Sequence, residues 1–468
     1  MTGILFTLIA YQVLMLGIGW WASRRNSDSA DFYLGGRKLG GMVAALSASA
    51  SSSSAWSLLG VSGAAFAWGL PAIWLIPATV MGFCINWFLI APRLSERSRE
   101  SGAITLTEFI AGPRGDPARK AVMRLGAAVI LFSFTFYIAA QFQAAGKTFA
   151  GVLDIDPVPA IVIGAAVVLV YVWLGGFWAA SVTDSVQGLL MAFCALLLPL
   201  LALAAVGGAA ELVDTLKTGD NGGFSWTGQS SWAAAVGFVL GLFGIGLGYP
   251  GQPHVVNRFM ALRDSDALRR GRRIAVAWAV VIYTGMVTLG WCGRVLISGL
   301  GDGEQVLFAL ATLLLPAVAA GIMVSAILSA IMSTADSQLL VAASSVSHDL
   351  GDGRSDRSGL VRARWVVLAL GAVAIALAVF FPDDIFGRVL FAWQALAAAF
   401  GPLLVVTLWR GPVLPAWRVA ALATGFTLTV VLSWTIESPG DWVERLVPLA
   451  LALALALLGS KKVCNSRR

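Results

Sequence analysis

Three stretches of this 468-residue chain set polar atoms or backbone breaks inside otherwise apolar sequence. Ser47-Ala48-Ser49-Ala50-Ser51-Ser52-Ser53-Ser54-Ala55-Trp56 carries six hydroxyls in ten residues. Gly241, Gly244, Gly246, Gly248, Pro250, Gly251 and Pro253 crowd a second stretch, at a density that a continuous helix tolerates poorly. The third holds Ser325, Ser329, Ser333, Thr334, Asp336 and Ser337. Ser329, Ser333 and Ser337 repeat every fourth residue and so share one helical face, with Ser325 extending the line and Thr334 at its edge. Close helix packing is the ordinary use of a serine in a membrane helix. Here the density points further, to carbonyls freed by a break in the first stretch and hydroxyls from the third replacing the water around a small monovalent cation. A proton would require a titratable group, which a hydroxyl cage lacks, so Na+ is favoured over H+.

Full charges at membrane depth are few, chiefly Asp184 and Asp336, and such carboxylates default to function. Asp184, within Thr183-Asp184-Ser185, either neighbours the hydroxyls and helps hold a cation or proton, or caps an inner helix end. Asp336 is read as gating or structural. His254 and His348 are expected near cytoplasmic ends, too far apart to share a metal. The four cysteines have neither metal nor disulfide spacing. For an organic solute the candidates are Trp56, Tyr137 and Tyr249, which sit at broken or polar segments. No Lys or Arg is expected mid-membrane, so an anionic group would use amides at a half-helix N-terminus. That suits a small amino acid or similar polar solute.

The elements that must position these groups follow from composition. The chain is 58% hydrophobic and 12% charged, with a mean hydropathy of +0.82; soluble domains carry about 25% charged residues. Windows of ~20 apolar residues predict thirteen membrane spans: 3–22, 41–66, 70–91, 122–150, 157–177, 180–206, 231–250, 272–299, 317–345, 361–381, 384–410, 413–435 and 441–460. The first is not read as a cleaved signal peptide, since no basic residues precede it. With the N-terminus outside and the C-terminus cytoplasmic, 27 of the 32 Lys and Arg fall on the inner side. Only Lys147, Lys217, Arg294, Arg388 and Arg445 remain outside. The net charge of +7 is therefore a topology signal, and no nucleic-acid partner is expected.

Spans 2 and 7 are both interrupted and lie five apart, the mark of an inverted-repeat transporter. Residues 41–177 with 180–206 would form one five-helix repeat and 231–410 the other, with 3–22 and 413–460 peripheral. All of 1–468 is then one all-α integral membrane domain. A transporter-like membrane sensor and a channel are the competing classes; the short tail after the last span argues against the first, and the lack of a repeated filter segment against the second.

Several segments carry a family resemblance: Phe32-Tyr33-Leu34-Gly35-Gly36-Arg37; Trp56 with Gly60 and Gly63-Ala64; Gly175-Gly176-Phe177 and Thr183-Asp184-Ser185-Val186-Gln187. They continue with Gly246-Leu247-Gly248-Tyr249-Pro250-Gly251-Gln252-Pro253-His254, Arg258-Phe259-Met260, Ser325-Ala326-Ile327-Leu328, Met332 to Leu340, and Ala399-Phe400-Gly401-Pro402. From residue 32 to 402, in consistent order, the chain resembles the sodium/solute symporter family, and within it the bacterial sodium/proline symporters.

The resemblance implies a leucine-transporter-type fold, alternating access and cotransport of Na+, with no enzymatic activity and no other cofactor. It implies a sodium site of backbone oxygens from Ala50, Ser53 and Ala330 and hydroxyls from Ser333 and Thr334. The acid matching Asp184 adds to a second sodium site in some relatives, and Trp56, Tyr137 and Tyr249 match a proline pocket. The chain departs from the proline symporters at Ser52 (Asp in them), Ser53 (Met), Ile245 (usually Trp) and Gln394 (a small apolar residue). Losing the acid weakens the cation field, losing the aromatic removes a pocket wall, and Gln394 adds an amide to the expected solute site. The expected partners are Na+, a small solute (proline first, otherwise another amino acid or polar organic molecule) and the lipid bilayer of a bacterial inner membrane. No obligatory protein partner is expected.

Overall fold

The computed structural model describes residues 2–23, 37–153, 155–174, 177–218, 225–350, 357–381 and 384–460. The motif residues Phe32 to Gly36, Gly175 and Gly176 lie outside this set. So do the charged residues Arg24, Arg25, Asp154, Arg354, Asp383 and those of 461–468. The described residues are nearly all helical. In chain order the helices are α1 (Thr2–Ser23), α2 (Gly41–Ser52), α3 (Val61–Trp68), α4 (Leu75–Cys84), α5 (Ala91–Ser101), α6 (Leu106–Ala111), α7 (Arg119–Leu153) and α8 (Pro157–Leu174). There follow α9 (Phe177–Val206), α10 (Ala209–Thr218), α11 (Trp232–Leu247), α12 (Pro253–Met260), α13 (Ser265–Leu296), α14 (Val306–Leu314), α15 (Ala317–Ser344), α16 (Arg357–Phe380), α17 (Ile385–Arg410), α18 (Pro415–Thr435) and α19 (Trp442–Leu458).

Among the described residues, eight helical stretches are long and apolar enough to cross a bilayer, by length and composition. The outward faces are greasy: Phe6, Leu14, Leu196, Leu200, Val373 and Trp434 are exposed, as lipid-facing side chains should be. Both expected interruptions are present. α2 and α3 are separated at Ser53–Ser54, with a wide π-type turn over Trp56–Gly60 leading into α3. α11 and α12 are separated by a tight turn at Tyr249–Gly251 and an extended Gln252. The second break follows from Pro250 and Pro253, which cannot donate to the helical ladder.

α13 starts where Asp264 accepts a hydrogen bond from the Ala267 amide at 2.7 Å, an ordinary acidic N-cap. It packs against α2, α3 and α9, and at Gly285 the approach is closest: a Cβ there would stand 1.9 Å from the Ala195 carbonyl oxygen.

The flanking helices are tied to the core more tightly than the word peripheral suggests. The Tyr11 hydroxyl of α1 lies 2.7 Å from Ser329 Oγ on α15, which removes Ser329 from the free hydroxyl line. At the other end of the chain, a Cβ on Gly241 of α11 would stand 1.9 Å from the Gly440 carbonyl oxygen. Gly440 and Asp441 adopt left-handed backbone (φ 65 and 54 degrees) to bring the start of α19 against α11. Arg445 then donates to the Gly241 carbonyl at 3.2 Å.

On the Arg- and Lys-rich side, α6 is closed by reciprocal caps: the Glu108 amide donates to Thr105 Oγ1, and the Ile104 amide donates to Glu108 Oε2. Burial raises the Glu108 carboxyl, but hydrogen bonds from His348, Ile104 and Arg119 outweigh it and bring it down to about 2. A lowered folded-state value contributes stability above the unfolded value of ~4.3 and loses it as pH falls toward 2. The melting-temperature gap between the native chain and Glu108→Gln in detergent should therefore be widest above pH ~5 and close near pH 2. A gap independent of pH would show that the carboxylate charge is not what stabilises this turn.

Candidate cation and solute site

The break after α2 frees a specific set of carbonyls. Ser53, at φ −113 and ψ 79 degrees, still donates its amide to Ser49 and Ala50. Beyond it the amides turn away from the helical ladder. Ala55 donates to Gln141 Oε1 at 3.1 Å, Trp56 to Ser54 Oγ at 3.1 Å, and Ser57 to the Ser54 carbonyl at 2.9 Å. The carbonyls of Ser51, Ser52 and Ser53 thereby lose their i+4 partners.

α15 brings hydroxyls to this exposed backbone. Ser333 Oγ donates to the Ala50 carbonyl at 3.2 Å and lies 3.3 Å from the Ala330 carbonyl; Thr334 Oγ1 donates to the Ser51 carbonyl at 3.2 Å. Ala50, Ser53, Ala330, Ser333 and Thr334 are all fully buried. The Ser333 hydroxyl with the Ala50 and Ala330 carbonyls, and the Thr334 hydroxyl with the Ser51 carbonyl, therefore meet across the α2–α15 contact. These oxygens are neutral and hard, the ligand class a monovalent alkali cation takes in place of water.

The aromatic candidates converge beside them. Tyr137 on α7 donates to Ser54 Oγ at 3.3 Å, at the break itself. Tyr249, at the turn between α11 and α12, lies 3.1 Å from the Tyr283 hydroxyl, which reaches Ser57 Oγ at 3.1 Å and Ser53 Oγ at 3.4 Å. Trp56 sits between Tyr283 and Phe386, with ring centroids 6.1 and 5.6 Å away. Its indole N–H and the Gln141 amide nitrogen are buried without hydrogen-bond partners among the described residues. Aromatic walls and buried N–H donors thus gather beside the break.

Gln394 is not brought to this group. Its amide donates at 2.6 Å to the Arg445 carbonyl on α19, one helical step away from the neighbour that does face the site. That neighbour is Trp393, whose ring lies 4.7 Å from Tyr249 and whose indole N–H donates to the Ile245 carbonyl at 3.1 Å. An aromatic ring from α17 thus stands beside Ile245 and against Tyr249.

Asp184 has a partner that the sequence did not reveal. Arg258, counted there with a cytoplasmic loop, belongs to half-helix α12 and is about 1% exposed. It pairs with Asp184 Oδ2 at 3.0 Å, and the same oxygen accepts from Ser47 Oγ at 2.7 Å. The guanidinium also donates to Ser47 Oγ at 3.1 Å, to Ser337 Oγ and to the His254 carbonyl. A buried Arg therefore does exist within the core, contrary to expectation, and its charge is matched rather than offered to a ligand. Ser337 in turn donates to Asp336 Oδ1 at 3.0 Å, so Asp336 closes this network rather than facing water. His254 is wholly buried, its ring 6.0 Å from the Tyr137 ring and 6.5 Å from Trp393. Among the described residues, no cluster of His, Cys, Asp and Glu could hold a multivalent metal.

Sequence reasoning passed over Gln141, Tyr283 and Trp393, and read Ser47 only as one hydroxyl of its run. Gln141 and Tyr283 carried a usable signal, since each is a polar group in mid-span. Ser47 and Trp393 did not stand out from their neighbours.

The model of the sodium:solute symporter family matches residues 32–411. The high-affinity proline transporter PutP of Bacillus subtilis is 34% identical over 93% of this chain and 92% of its own length. The sodium/proline symporter of Escherichia coli is 34% identical over 91% and 86%. Among solved structures, a substrate-bound, outward-open Na+-coupled sialic acid symporter superposes with a TM-score of 0.80 at 17% identity, covering 98% of this chain and 99% of the other. The nucleobase-cation-symport-1 transporter MHP1 superposes with a TM-score of 0.57 at 16% identity, over 92% and 95%. At these identities the two structures share a fold with this chain.

Proposed function

The chain belongs to the sodium:solute symporter family, Na+-coupled multi-pass membrane transporters rather than enzymes, and from that premise we propose that its solute is L-proline, imported by alternating access. The observation that carries this reading is the meeting of the Ser333 and Thr334 hydroxyls with the Ala50 and Ser51 carbonyls, one turn from the break that Trp56 and Tyr137 flank. In this reading Na+ is held by the carbonyl oxygens of Ala50, Ser53 and Ala330 and the hydroxyls of Ser333 and Thr334. Asp184 acts first as the counter-ion of Arg258; its second oxygen, Oδ1, has no hydrogen-bond partner among the described residues and is the candidate for a second cation position. The solute lies against Trp56, Tyr137 and Tyr249, with Trp393 as the aromatic wall that Ile245 does not provide.

The proposed architecture is thirteen spans with an inverted pair of five-helix repeats, α2–α9 and α11–α17, of which α2/α3 and α11/α12 are the broken members. The N-terminus is outside and the C-terminus inside a bacterial inner membrane. Na+ entering between α2 and α15 draws the freed carbonyls toward the hydroxyls. That settles the conformation at Ser53–Trp56, the segment that also touches the solute. A cation and a solute that order the same segment favour each other, typically by 1–3 kcal/mol. A membrane potential adds ~2.3 kcal/mol per charge for each 100 mV.

The test is uptake of labelled proline by proteoliposomes of the purified chain. An imposed inward Na+ gradient should drive accumulation above the outside concentration, and an equal K+ gradient should not. Accumulation indifferent to Na+ would remove the cation site. Na+-driven uptake competed by another amino acid but not by proline would change the solute alone.

A further inference from the structure

The start of α7 is electrostatically awkward. A helix N-terminus carries partial positive charge and favours acidic residues, yet the first turns of α7 hold Arg119, Lys120 and Arg124 and no acid. Arg114 stands just before them. These side chains line one side of a groove of about 460 Å³, whose other side is Glu108, His348, Asp349 and Leu350. The carboxylates in reach are already engaged. Glu108 takes Arg119 at 2.8 Å, His348 at 3.2 Å and the Ile104 amide. Asp116 takes Arg418 at 2.9 Å and the Ala118 amide at 2.9 Å. Asp349 is buried and accepts from Thr105 at 2.9 Å. Arg114, Lys120 and Arg124 are exposed and have no ion pair among the described residues. Three unmatched cations thus surround a groove at the positive end of a helix.

We propose that this groove binds the phosphate of an anionic phospholipid from the adjoining leaflet. Depth selects the lipid over a dissolved phosphate. Arg124 stands directly before the apolar run that begins at Leu125, and Lys120 lies four residues, or about 6 Å of helix rise, further out. The cations therefore sit at headgroup level, where phosphodiesters are always present. The phosphate lies between Arg114, Lys120 and Arg124, drawn also by the helix end, and half-exposed Leu350 meets the glycerol side of the lipid. Bound there, the lipid bridges the helix that carries Tyr137 to the turn that continues α15 beyond Ser333 and Thr334, so it joins both elements of the candidate site at their basic ends.

The experiment is native mass spectrometry of the whole purified chain in mixed micelles of phosphatidylglycerol and phosphatidylcholine. The native chain should retain phosphatidylglycerol in preference. The triple variant Arg114→Gln/Lys120→Gln/Arg124→Gln should lose that preference by about tenfold, with phosphatidylcholine retention unchanged. Arg270→Gln/Arg273→Gln, exposed on another basic segment, should keep it. Equal retention by the native and triple-variant chains overturns the proposal, as does an equal loss in the Arg270/Arg273 control. Release of the lipid by millimolar inorganic phosphate, with the phosphate retained in its place, would make the groove a site for a soluble anion and overturn the lipid assignment. If the triple variant fails to fold, Lys120→Gln/Arg124→Gln is read by the same ratio.

Discussion

Arg258→Met is expected to destabilise the protein by about 3–5 kcal/mol, the usual loss when one partner of a buried ion pair is removed. The change strips Asp184 Oδ2 of a guanidinium at 3.0 Å and leaves a carboxylate in a wholly buried position, with Ser47 as its remaining partner. It also unpairs Ser337 and the His254 carbonyl from the same side chain. The double variant Asp184→Leu/Arg258→Met removes both charges and should recover most of the loss, because apolar replacement of a whole pair is often close to neutral. Thermal unfolding in detergent for the four members of this cycle reads the coupling directly. If Arg258→Met melts with the native protein, the pair contributes nothing and the network is incidental. Because α12 is the second half of a broken helix and α9 carries Asp184, this pair is also a buried charged link between the two proposed repeats.

The second large effect concerns the cation. Ser333→Ala or Thr334→Ala should each raise the Na+ concentration for half-maximal uptake by roughly tenfold or more, since a hydrogen-bonding group facing a charge contributes ~1.5–3 kcal/mol. Together they should leave uptake with little Na+ dependence at any workable concentration. Thr334→Ser retains the oxygen that meets the Ser51 carbonyl and should keep the native Na+ response. Ser325→Ala is the useful control: its hydroxyl donates to Gly321 of its own helix at 2.9 Å, away from the break in α2. An unchanged Na+ response in Ser333→Ala and Thr334→Ala, with uptake otherwise intact, would place the ion elsewhere.

Much of this site could be read before folding because local chemistry decides it. Serines at every fourth position of an apolar segment must share a helical face, and a run ending Tyr249-Pro250-Gly251-Gln252-Pro253 cannot remain helical. The reading failed where a residue's meaning depends on what lies across from it. Arg258 follows the interrupted stretch and precedes five further basic residues, so hydropathy assigns it to a loop. Its partner is 74 positions away. Gln394 and Trp393 differ by one helical step of about 100 degrees, and only the packing of α17 against α11 and α19 turns the indole toward Tyr249 and the amide toward Arg445.

The linear order of residues by itself determined a membrane-embedded bundle, its two interrupted helices and the oxygen-rich faces on α2 and α15. Those depend on the cost of burying unpaired backbone in lipid and on helical periodicity, both of which act within a few turns of chain. The fold alone decided that Asp184 answers Arg258, that Tyr283 joins Tyr249 to Ser57, and that α1 and α19 lock onto the core through Tyr11 and Gly440. Such contacts unite groups far apart along the chain. Their energies arise only once dense packing has removed water and fixed who faces whom.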